Sequence, residues 1–257
     1  LSGAGAVSAG IFNWTGGTLT GTGAITVNSA LNMPAGVTSN AWNYTFLDGK
    51  SLINNGTATL GSNQDQGGNG ADLRLLNGAA IFNAGTWDIN YANINSTGVN
   101  SFNNSGTLNV GALGNGGTIN AAIDSSGALN VLNNGLNLFG GGSVTGDLSV
   151  SGGTLAGTID LAPANFSLGT GAAVATTGSL AVTNSFSDAG GSFSGTFSSI
   201  DITQSSGALT VPALTAANAI TLSAPTGTVT LNGVQTTTAA NSSIVIEGSG
   251  FANAVGA

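Results

Sequence analysis

One short phrase recurs along the chain and limits what it can fold into more than any other feature. Phe102-Asn-Asn-Ser-Gly106-Thr-Leu108-Asn-Val110 aligns with Ile123-Asp-Ser-Ser-Gly127-Ala-Leu129-Asn-Val131, every matched position displaced by 21 (102 to 123). Near the other end, Ile202-Thr-Gln-Ser-Ser-Gly207-Ala-Leu209-Thr-Val211 aligns with Leu222-Ser-Ala-Pro-Thr-Gly227-Thr-Val229-Thr-Leu231, displaced by 20 (202 to 222). Related copies stand at Ile53-Asn-Asn-Gly56-Thr and Phe82-Asn-Ala-Gly85-Thr-Trp87-Asp-Ile89. Marker glycines at Gly17, Gly36, Gly56, Gly85, Gly106, Gly127, Gly153, Gly178, Gly207 and Gly227 step by 19 (17 to 36) up to 29 (56 to 85), around a base of about 20. The longer steps are that unit plus a loop inserted at a corner, most clearly the polar stretch Gly61-Ser-Asn-Gln-Asp-Gln-Gly-Gly-Asn-Gly70.

A unit this short cannot bury an apolar face by itself, but stacked copies can bury a continuous one. Each copy holds two or three runs alternating at period 2, the strand signal, and good helix formers are scarce: Lys and Glu occur once each, as Lys50 and Glu247. The expectation is an all-β chain folded as a right-handed parallel β-helix over residues 1–257, one solenoid domain with about 20 residues per coil and corner loop insertions. At a spacing of ~4.8 Å per coil, eleven or twelve coils make a rod on the order of 55 Å long.

Within a coil the Phe/Ile, Leu and Val of the template point inward, which places Trp87 in the core at the Leu108 position. The glycine of Asn-x-Gly-Thr is read as a corner that takes positive φ. The Asn before it is read as one rung of an amide ladder bonding to the next coil. Asp124, standing where another copy has Asn103, is read as a corner residue rather than a catalytic base.

These passages resemble a known class. Phe12-Asn-Trp14-Thr-Gly-Gly17-Thr-Leu19-Thr-Gly21-Thr-Gly23, then Ile25-Thr-Val27 and the Asn-x-Gly-Thr copies, resembles the β-strand repeats of bacterial surface proteins of the autotransporter and filamentous-haemagglutinin-like type. The stretch from Ala219 to Gly233, followed by Ser243-Ile-Val-Ile246-Glu-Gly-Ser-Gly250-Phe251-Ala-Asn253, is similar to haemagglutinin repeats. The resemblance implies a secreted, extracellular or cell-surface stalk, adhesin segment or filament-forming subunit. It implies partners that are further copies stacked end to end, flanking repeats of a longer chain, or host or matrix glycans. The start Leu1-Ser-Gly-Ala-Gly-Ala-Val has neither the basic region nor the long apolar core of a signal peptide, and the chain reads as a processed piece.

Composition narrows the chemistry. With no His, no Cys, 2 basic and 10 acidic residues, the chain lacks material for His-based triads, thiol nucleophiles and Cys/His metal cages. Asp88, Asp124, Asp147, Asp160, Asp188 and Asp201 are scattered, with no Asp-Asp or Asp-x-Asp pair among them. The reading is therefore not an enzyme, with no catalytic residue and no cofactor. A polysaccharide-active β-helix enzyme is the remote alternative. A net charge of −8 opposes nucleic acid and anionic membranes, and no apolar run reaches the ~18 residues of a spanning helix. Asp65, Asp72 and Arg74 form the densest charge cluster; calcium at Asp65 and Asp72 is set against a solvated loop with a local ion pair. Trp42 and Tyr44, alternating on one strand face, are the candidates for a contact surface.

Overall fold

The computed structural model describes residues 1–34, 43–61, 71–113 and 115–254. The alternating runs form strands with alternating burial: Ser101–Asn104, Thr107–Val110, Ala122–Ser125 and Ala128–Val131 each present every second side chain to the interior. The sequence alignment is also the pairing register. Phe102 lies beside Ile123, Leu108 beside Leu129 and Val110 beside Val131 in parallel ladders. In the same way Ile202 pairs with Leu222 and Leu209 with Val229.

Stacking these coils gives a parallel β-solenoid of about 11 turns, roughly 21 residues per turn, with no helix among the described residues. The strands lie in a 21-stranded and a 9-stranded sheet; through the middle of the chain each coil adds two strands to the larger and one to the smaller. One column of inward positions runs the whole length: Ala9, Val27, Asn54, Asn83, Asn104, Ser125, Val144, Leu161, Leu180, Ile200, Ile220 and Ile244. Its steps range from 17 residues (144 to 161) to 29 (54 to 83), so coils of unequal length keep a common axis by absorbing the difference at corners.

The core is a set of like-on-like stacks. Trp87 is fully buried in the column of Leu108, as its place in the repeat requires, and meets Phe102 edge-to-face at 5.3 Å. Phe166, Phe186, Phe193 and Phe197 form a second aromatic run with centroids 5.5 to 6.1 Å apart.

The expected amide ladder is present inside the solenoid. Asn54 Nδ2 donates to Asn83 Oδ1 at 2.7 Å, Asn83 Nδ2 to Asn104 Oδ1 at 2.7 Å, and Asn104 Nδ2 to Ser125 Oγ at 2.9 Å. The same amides donate to the carbonyls of Thr86, Thr107 and Ala128 in the following coil. Val27 and Val144 bracket the ladder in its column, and because every rung donates in one direction, the first acceptor, Asn54 Oδ1, is left buried without a partner.

Three expectations change. First, Ile53 and Phe82, the leading apolar residues of their copies, point outward: Leu52 and Ile81 fill the core, and Phe82 is exposed. The inward residue lies two positions before the ladder Asn, and at period 2 a one-residue slip reverses the face. Second, the glycine of Asn-x-Gly-Thr is not a positive-φ corner at Gly56, Gly85, Gly106 or Gly127; left-handed backbone occurs at Gly17, Gly153 and Gly207 among the marker glycines. A β-carbon at Gly85 would overlap the carbonyl oxygen of Gly56, and one at Gly106 that of Gly85. Glycine is required there because the neighbouring coil's backbone stands where the side chain would go. Third, Asp124 is no corner residue: it lies on the outward face of the strand Ala122–Ser125 beside Asn103 and accepts from Ser143 Oγ at 3.1 Å.

Lys50 had no assigned place in the repeat. It is buried in the column of Gly23, and its Nζ donates to the carbonyls of Gly23 at 3.0 Å and Gly3 at 2.9 Å, tying three coils together.

Candidate functional site

Tyr44 and Asp72, singled out for different reasons, prove to be neighbours. Asn43–Asp48 pairs in parallel with Ala71–Leu76, and the register sets Tyr44 directly beside Asp72 on the outer face of the smaller sheet. Their column continues through Asn93, Thr118 and Asn137. Two residues further along each strand, a second outward column holds Phe46, Arg74 and Asn95. Asn120 and Phe139 directly follow the paired Ile119 and Leu138 and extend that column. Trp42 and Asp65 lie outside the described residues.

The Asp72–Arg74 ion pair exists, but on a strand rather than in a solvated loop. Arg74 Nη2 and Nε approach Asp72 Oδ2 at 3.0 and 3.1 Å, and Asn95 Nδ2 donates to Asp72 Oδ1 at 2.8 Å. Both carboxylate oxygens are therefore engaged, on a side chain that is itself buried. The Arg74 guanidinium lies 4.6 Å from the Tyr44 ring centroid and 5.7 Å from that of Phe46, so its charge is shared between a carboxylate and two aromatic faces. Tyr44 remains exposed, as does Phe139 four coils away.

Beside this cluster is a groove of about 290 Å³, its walls including Tyr91, Asn93, Asn115, Thr118, Asn134 and Asn137. Register places Tyr91 in line with Gly116 and Gly135 of the next two coils, yet Tyr91 adopts left-handed backbone at φ 49°, a conformation that is uncommon for a bulky residue.

Elsewhere several carboxylates accept from a neighbouring coil. Asp88 accepts from Asn109, Asp147 from Asn165 and Asp48 from Asn77 and Thr20. The backbone N–H of Ser179, and then its hydroxyl, hold the Asp160 carboxyl below the usual carboxylate range. Among the described residues no three His, Cys, Asp or Glu side chains gather as a metal site would require.

The outer columns of the smaller sheet were not legible in the repeat. Their registers step by 25 (93 to 118) and then 19 (118 to 137), so no constant period marks them. The one available signal is Tyr91 standing where the next coils carry glycine. Comparison with protein-family models, with curated proteins and with solved structures finds no match to this chain.

Proposed function

We propose that this chain is a non-enzymatic structural element of a secreted bacterial surface protein: a rigid β-solenoid shaft that lengthens by adding coils at its ends. The observation that carries the reading is the unbroken column from Ala9 to Ile244. Its final strand, Ser243–Asn253, pairs with Leu214–Leu231 and with no other described strand, leaving Ile244, Val245 and Phe251 exposed. At the other end Val7–Asn13 pairs with Ile25–Met33 and with no other described strand. Unpaired edges with apolar side chains are templates for another parallel coil, from a second copy or from flanking repeats. The use of carboxylates as ladder acceptors supports a non-catalytic role, and the resemblance to autotransporter and filamentous-haemagglutinin-like repeats supports the surface location.

Sedimentation and negative-stain electron microscopy over a range of concentrations test the reading. Rods whose lengths are multiples of about 55 Å, from ~4.8 Å per coil, are expected, and Val245→Lys should shift them toward single copies by placing a charge on the open edge. Single short particles at every concentration would remove the filament form of the proposal.

A further inference from the structure

In several columns this molecule joins its stacked polar side chains, though not in all: Asn103 beside Asp124 and Ser149 beside Ser167 share no hydrogen bond. Asn130, Asn109 and Asp88 are linked at 2.9 and 2.8 Å, Asn120, Asn95 and Asp72 at 2.6 and 2.8 Å, and Asn184, Asn165 and Asp147 at 2.8 Å each. The column of Asn93, Thr118 and Asn137 is among those not joined. Its members stand in adjacent coils, half-buried on the groove wall, yet their side chains make no hydrogen bond to any described residue. Asn115, on the same wall, makes none either. Their hydrogen-bonding capacity is directed into the groove.

We propose that this groove binds a neutral glycan chain lying along the solenoid axis. Primary amides and a threonine hydroxyl each offer both donor and acceptor, matching sugar hydroxyls, which also do both. Repetition at ~4.8 Å between coils is close to the length of one pyranose in an extended glycan, so successive sugars meet successive coils. Tyr91 supplies an aromatic wall for the apolar face of a sugar ring, and its left-handed backbone is strain of the kind found at binding sites. Among the described residues no charged side chain lines the groove, and Asp72 and Arg74 beside it neutralise each other at 3.0 Å. A charged ligand would find no opposite charge there to offset its lost hydration. Among the described residues no aliphatic side chain apart from Ala92 lines the groove either, and its strands are already paired within the sheet, so a peptide would find neither side-chain pockets nor a strand edge. The inference stands apart from the shaft reading, since a glycan site needs no filament.

Affinity electrophoresis of the whole chain through gels containing hydroxyethylcellulose, glucomannan, dextran or polygalacturonate tests it. At least one neutral polysaccharide should retard the protein, and Asn93→Ala/Asn137→Ala should weaken that retardation about tenfold or more. Both residues face outward, so circular dichroism of the double variant should match the parent. Tyr91→Ala should weaken binding as well, and Phe82→Ala, on the outer face of the larger sheet, should leave it unchanged. The proposal is overturned if none of the neutral polysaccharides retards the chain, if only polygalacturonate does, if the double variant binds as the parent does, or if Phe82→Ala is the change that abolishes binding.

Discussion

At the scale of single residues, the interior amide ladder is the most demanding feature of the structure. Asn83 both accepts from Asn54 and donates to Asn104, each at 2.7 Å, in a site closed to water. Asn83→Ala would leave Asn104 Oδ1 without its donor and remove the acceptor of Asn54. Buried groups stranded in this way cost ~1–3 kcal/mol each, so a loss of about 3 kcal/mol is expected in urea denaturation. Asn109→Ala, in the half-exposed outer ladder, should cost under about 1 kcal/mol because water replaces the lost partner. The ladder itself was readable, since Asn recurs just before the marker glycine in successive copies. Its abrupt start was not: the orphaned Asn54 Oδ1 follows from Val27 occupying the preceding rung, which only the register reveals.

At the scale of strand and turn, two kinds of glycine wear the same sequence pattern. Gly106 has ordinary backbone, but a β-carbon there would run into the Gly85 carbonyl; Gly207 has φ 79° and open space around its Cα. Gly106→Ala must push two coils apart and should cost about 3 kcal/mol, toward the upper range for forced overpacking. Gly207→Ala meets only the left-handed backbone penalty of about 1 kcal/mol. Parallel thermal melts of the two variants check the ordering, and equal costs would refute the distinction. Both glycines fit a turn signal, and the difference between them is a contact between residues about a coil apart, which local pattern does not encode. The same limit explains Phe82: its apolar character suits a core strand, but the face it takes depends on a shift of one residue relative to the neighbouring coils.

At the scale of the whole molecule, low charge becomes a condition of the architecture. Every outward position repeats at ~4.8 Å, so a charge type placed in one coil meets its copy in the next. The structure accordingly sets Asp88 against Asn109 and Asp147 against Asn165, carboxylate beside amide. Asn109→Asp would replace a 2.8 Å hydrogen bond with two facing carboxylates. The expected loss is ~1–2 kcal/mol at low ionic strength, from the missing donor and from like charges at that spacing. Salt near 1 M, where the screening length is about 3 Å, should recover part of it. Chemical denaturation at low and high salt measures both terms, and a salt-independent loss would mean repulsion has no share.

The repeat by itself determined the all-β solenoid, the pairing register of the larger sheet where copies stand 20 or 21 residues apart, the buried place of Trp87 and the interior ladder. It could do so because where coils carry no insertion, sequence offset and spatial neighbourhood coincide: residues 21 apart lie side by side. Tertiary structure alone decided the outer face of the smaller sheet. Corner insertions make its offsets irregular, so Tyr44 over Arg74, and the open column of Asn93, Thr118 and Asn137 beside Tyr91, arise only once each coil closes and its backbone hydrogen bonds fix the register against the next.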